Sequence, residues 1–225
     1  MTATETLPPT PRPSWLTRTA WTVLAILCLA VAAWSARYLL DPPQSPAEAL
    51  GNGFGVVWLP VHVAGALTAL VPGLLQFIPA LRRGAGPPHR WVGRVYVLGC
   101  LVGGAAGLIL ALGSSAGPIA TAGFGSLGSL WIAFTLLGLG AAIRGRFADH
   151  RRWMIRSWAL TLAAVTLRIY LPLVMILDLP FPPAYRVISF LCWVPNLVAA
   201  ELWLRLRPSP PLPAPRASDR RAQTG

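Results

Sequence analysis

The chain has 225 residues, of which 55% are hydrophobic and only 12% charged, with a mean hydropathy of +0.58. Soluble domains carry about 25% charged residues, so half that share excludes an ordinary water-soluble domain and points to lipid as the solvent. The formal charge of +12 raises nucleic acid as a partner, but no recognition motif accompanies it and the charge is confined to segments between apolar runs, so that partner is set aside.

Residues 1–18 are rich in Thr and Pro and predict a disordered tail, too polar to offset its own ordering entropy. The first helix is expected over about 19–40, because Thr19 to Ala36 contains no Asp, Glu, Lys or Arg. A long leading segment, and bulky Trp34 where cleavage wants a small residue, favour its retention over removal as a signal sequence. Ala49 to Leu81 is equally free of these residues and predicts a second helix over 56–81, bent by Pro60, Pro72 and Pro79. The run from Val95 to Ile143 is long enough for two spans, broken at Gly113-Ser114-Ser115-Ala116-Gly117-Pro118, which gives helices over 91–112 and 123–143. Two more follow at 153–177 and 185–204, and residues 206–225, mixing Pro, Ala and Arg, predict a second disordered tail.

Residues 19–205 therefore read as one all-α domain, an integral membrane bundle of six transmembrane helices, since lipid offers no partner to a bare backbone amide. All nineteen basic residues are arginine, and sixteen fall in the first tail, the 82–94 junction, the 144–156 junction or the segment after Leu204. Six spans put these four regions on one side, and the positive-inside rule makes that side cytoplasmic, with both termini inside a bacterial inner membrane. Gly99, Gly103 and Gly107 flatten one face of the third helix for close packing. Cys28, Cys100 and Cys192 lie in predicted spans without CxxC spacing and read as small apolar fillers.

One phrase is written twice. RGAGPPHR runs from Arg83 to Arg90 and RGRFADHR from Arg144 to Arg151, each with a Trp/Arg/aromatic trio just beyond: Trp91, Arg94, Tyr96 and Trp153, Arg156, Trp158. A duplicated helical hairpin accounts for this, giving a four-helix core with the first and sixth helices outside. Pro87 and Pro88 before His89, and Asp149 as N-cap before His150, put both histidines at or just before helix starts. The helix dipole and nearby arginines penalise a charged ring there, so both imidazoles are expected to be neutral at pH 7 and open to ligating iron. The same helix starts also suit an anion. Counting rise per residue brings Gln76 near the level of these histidines and lets Arg156 pair with Glu201. On the opposite side His62 and Arg168 lie roughly 9 and 14 Å deep, where ionisable groups face the interior with a partner.

The pattern HVAGALTALVPGLLQF from His62, LRRGAGPPHRWVGRVYV, GFGSLGSLW and IRGRFADHRRWMIRSWALTLAAVTLR to Arg168 resembles the bacterial family of predicted membrane proteins called domain of unknown function 2306. The resemblance covers about half the chain; it implies a membrane core and no reaction. A weaker similarity is to transmembrane haem cytochromes, whose histidines also sit on a four-helix core. With three histidines in the whole chain, at most one bis-histidine site, His89 with His150, is available as a metal centre.

Two readings follow from different classes. In one, haem b is ligated by His89 and His150, its propionates held by Arg90, Arg94, Arg152 or Arg156, in an electron-transfer protein serving a redox partner. In the other, the same layer binds an anionic headgroup or phosphorylated small molecule. Arginines at helix ends also serve as plain topology anchors. No GxSxG, Walker loop, HExxH or zinc-type spacing is present, no catalytic residue is assigned, and a proton-coupled transporter is disfavoured because only Glu201 among the acids comes near the membrane interior.

Overall fold

A computed structural model describes residues 15–76 and 86–206. Among them there is no strand; the chain forms eight helices, α1 Trp15–Leu40, α2 Gly55–Leu75, α3 Pro87–Leu112, α4 Pro118–Ile143, α5 Phe147–Thr161, α6 Ala163–Ile176, α7 Phe181–Leu191 and α8 Val194–Leu206. They make six spans, because α5 continues into α6 past Leu162 and α7 into α8 past Cys192 and Trp193. All six are long and apolar enough to cross a membrane, and Ile26, Val57, Leu98, Ile143, Met175 and Val198 stand on the outer surface where lipid would meet them.

The helix starts differ from the sequence expectation. Five of the six spans begin four to six residues early, at Trp15, Pro87, Pro118, Phe147 and Phe181. Pro87, Pro88 and Pro118 fit the first turn, where a missing N–H costs nothing. His89 and His150 are consequently the third and fourth residues of their helices. Asp149 is not the N-cap of α5: Arg146 holds that position and meets Asp149 at 3.7 Å. Pro60 and Pro72 lie inside α2, which ends at Leu75; the stretch 76–81 expected as helix falls outside the described residues beyond Gln76, as does Pro79. Of the two expected tails, only residues 15–18 and Leu206 are described, and these are helical.

Successive helices α2, α3, α4 and α5 pack side by side, and α5 returns to α2, closing a four-helix core; α1 lies against α2 and α6, α7 against α4, and α8 against α5. Glycine decides how close α2 and α3 come. A methyl group at Gly65 would stand 2.3 Å from the Gly103 nitrogen, and one at Gly99 would stand 2.7 Å from the Ala69 nitrogen, so the two backbones touch. Gly73 opens room for the Trp158 ring, which fills the interior with Tyr96, Cys100 and Trp131. The three cysteines are buried. Where α7 gives way to α8, the Cys192 carbonyl accepts from Thr166 Oγ1 and, at 3.1 Å, from Asn196 Nδ2, so this acceptor is satisfied by side chains. At one end of the bundle the 41–54 connection is tied to the α3–α4 turn by Asn52 Nδ2 donating to the Leu110 carbonyl at 2.7 Å.

Candidate functional site

The arginine-rich end carries the two copies of the repeated phrase. The first copy begins at Arg83, outside the described residues up to Ala85, and continues into α3. Gln76 at the end of α2 lies over Gly93 and donates from Nε2 to the His89 carbonyl at 3.1 Å, joining the two helices of this hairpin. One turn separates Arg90 from Arg94, and both face outward around Trp91, with the Arg94 guanidinium 4.9 Å from the ring centre. Pro87, Arg90, Trp91 and Arg94 together line a cleft of about 260 Å³.

The second copy is built alike in part. Arg156 sits over Trp153 at 4.7 Å as Arg94 does over Trp91, and each pair is 62 positions from its counterpart. The third members of the two trios, Tyr96 and Trp158, pack on each other with ring centres 6.4 Å apart. Arg156 is otherwise committed: its guanidinium forks onto both oxygens of Glu201 on α8, the Nη2 bond at 3.0 Å, in the pairing that helix depth predicts. Arg151 covers Trp203 at 5.1 Å, and Arg152 is exposed. His150 turns Nδ1 to the Gly138 carbonyl on α4 at 2.8 Å. A carbonyl only accepts, so Nδ1 carries the proton and Nε2 is the position left for other work. The bond at the His89 backbone stays within the α2–α3 hairpin and the bond at the His150 ring within α4–α5, so neither joins the two histidines. Among the described residues no group of three or more His, Cys, Asp or Glu gathers as a metal site.

His62 and Arg168 occupy the opposite half. His62 Nδ1 meets the Gly103 carbonyl at 2.8 Å, and Arg168 Nη1 donates to the Ala164 carbonyl at 3.3 Å. The Arg168 charge acts on the His62 ring, but no hydrogen bond joins the two among the described residues.

Sequence reasoning missed a third polar assembly, between these layers. The Tyr96 hydroxyl on α3 lies 2.7 Å from Ser157 Oγ and 3.0 Å from Thr161 Oγ1 on α5. Thr135 Oγ1 on α4 lies 2.7 Å from Ser157 Oγ, and Trp131 Nε1 donates to Thr161 Oγ1 at 2.9 Å. Tyr96 is nine residues into α3 and Ser157 ten into α5, about 14–15 Å from the helix starts at the arginine-rich end and a third of the way along spans of 26 and 30 residues. The available signal was hydroxyls one turn apart, Ser157 with Thr161.

No curated protein and no solved structure is detectably similar to this chain. The model of one family of predicted membrane proteins, DUF2306, matches residues 59–204, which hold the four-helix core, both histidine-bearing helix starts and the buried hydroxyl assembly. By that match the chain belongs to the DUF2306 family of predicted membrane proteins.

Proposed function

We propose that this multi-pass membrane protein binds an anionic headgroup or phosphorylated small molecule in the cleft at its arginine-rich end, on the cytoplasmic side of a bacterial inner membrane. One observation carries this reading. Arg90 and Arg94 flank an open cleft beside Trp91, and among the described residues neither has a carboxylate partner. Their donors are therefore available to oxygen, and the start of α3 adds its dipole in the same direction. Arg156 is a poor ligand residue by the same logic, since Glu201 already engages it.

The test is thermal unfolding of the detergent-purified chain with phosphatidylglycerol, phosphatidylcholine or pyrophosphate. Phosphatidylglycerol or pyrophosphate should raise the melting temperature and phosphatidylcholine should not. The Arg90→Ala/Arg94→Ala variant should require about tenfold more ligand or greater for the same shift. An unchanged response in that variant, or none in the parent protein, overturns the reading.

Haem b is a second reading, favoured by His150 alone: a ring whose Nδ1 is fixed on a carbonyl presents Nε2 in the manner of an oriented metal ligand. It requires His89 as the other axial ligand. The absorption spectrum of the same preparation from haem-replete cells decides it, and a missing Soret band ends it.

A further inference from the structure

Arg168 is the second intramembrane arginine, and its circumstances are the reverse of those of Arg156. It lies eight residues from the end of α6 at Ile176, about 12 Å deep. Its guanidinium does not reach outward to the surface, because Nη1 is bonded to Ala164, one turn further into the bundle. That single 3.3 Å bond to a backbone carbonyl is the only hydrogen bond it makes among the described residues, out of five available N–H groups.

The chain holds no acid among its described residues that pairs with this charge. It has seven, and Glu5 and Asp219 fall outside the described residues. Asp149 and Glu201 are at the arginine-rich end, the latter held by Arg156. Asp41 and Asp178 are exposed in the connections at the far end, and Glu48 is held there by the Gln44 amide and the Ser45 hydroxyl. A guanidinium left without an opposite charge at this depth is costly, and such residues mark ligand sites. Around it stand groups suited to a ligand. Tyr185 and Tyr38, the latter accepting from Arg37 Nη2 at 3.0 Å, are within electrostatic reach, as are Arg37, which is exposed, and His62, whose Nδ1 holds the Gly103 carbonyl and leaves Nε2 for another partner. Tyr185 is in turn stacked on Phe181 at 5.0 Å and packed on Phe124 at 5.1 Å, an apolar wall beside the polar groups.

We infer that Arg168, with His62, Tyr38 and Tyr185, forms a second site, at the opposite end from the arginine cleft, that binds the carboxylate of a lipid-soluble amphiphile. A planar guanidinium matches a planar carboxylate fork for fork. The half-buried Arg168 guanidinium offers one positive charge at this depth, matched by the single charge of a carboxylate. Depth selects a ligand that arrives through the bilayer.

Full-length protein in detergent, titrated with oleate, methyl oleate and a short-chain benzoquinone, tests this. Oleate should raise the melting temperature, and the two neutral compounds should not. Arg168→Gln should weaken the oleate response by about tenfold or more, while Arg90→Ala/Arg94→Ala should respond to oleate as the parent does. That pair of variants separates this site from the cleft, so either can fail alone. A stabilisation by methyl oleate or the quinone equal to that by oleate overturns the inference, as does an Arg168→Gln protein that keeps the full response. Should Arg168→Gln not fold, the comparison of acid with ester in Arg90→Ala/Arg94→Ala still decides, because oleate can no longer act there through the cleft.

Discussion

Ser157 has two hydroxyl neighbours and one proton to give. Thr161 Oγ1 donates to the Ser157 carbonyl at 3.0 Å and Thr135 Oγ1 to the Trp131 carbonyl at 2.7 Å, so both spend their protons within their own helices. The Thr161 oxygen is then an acceptor for Trp131 Nε1 and the Tyr96 hydroxyl, and Ser157 gives its proton to Thr135 or Tyr96. Ser157→Ala takes away the shared member and leaves two buried hydroxyls each short of a partner, a loss of about 1–2 kcal/mol. Tyr96→Phe removes one hydroxyl while Ser157 keeps Thr135 and Thr161 keeps Trp131, so it should cost less. Melting temperatures in detergent should fall further for Ser157→Ala than for Tyr96→Phe; the reverse order would show that Tyr96, and not Ser157, organises the assembly. The Arg156–Glu201 pair was legible in the sequence because two opposite charges at equal depth have few alternatives. The hydroxyls were not, because Thr22, Ser35 and Thr68 bond their own preceding turn in the same way and enter no such network. Only the meeting of α3, α4 and α5 separates one kind from the other.

Elements were legible in number and order, since a charge-free run of span length in lipid has one fold open to it. Their starts were not, because apolarity marks where lipid begins, whereas prolines and polar residues carry a helix outward beyond it, as at Pro87 and Phe147. The interruption at Leu162 carries no Gly or Pro and was equally hidden, whereas the one at Cys192 and Trp193 comes just before Pro195, which has no N–H to give the Leu191 carbonyl. The glycine face of α3 was read correctly as a packing face, and the structure supplies its partner, Gly65 on α2. A methyl group there meets backbone that cannot turn aside, so Gly65→Ala should separate α2 from α3 and cost about 2 kcal/mol or more. Gly125 in α4 has nothing within 4 Å of the same position, and Gly125→Ala should leave stability unchanged or slightly raised. Equal melting temperatures for the two variants would mean that α2 and α3 do not touch as described.

For the molecule as a whole, the connections at the two ends differ in charge as sharply as they do in position. Residues 76–86 and 144–146 contain four arginines, Arg82, Arg83, Arg144 and Arg146. The connections 41–54, 113–117 and 177–180 contain none, and hold Asp41, Glu48 and Asp178 instead. Orientation is set by basic residues in short connections, with acids contributing little, so four against none is a strong bias. Reporter fusions should therefore read cytoplasmic after residues 80 and 145 and external after residues 45, 115 and 179. A uniform inversion of that pattern would keep the six-span bundle and put the arginine cleft outside, ending its assignment to a cytoplasmic ligand while bringing the Arg168 site to the inner leaflet. Any two successive connections on the same side would contradict the antiparallel order of the spans. The equivalent Trp–Arg pairs, 62 positions apart, make the expected pattern sharper still. Two hairpins of like build and like orientation should deliver their reporters to the same compartment at residues 80 and 145.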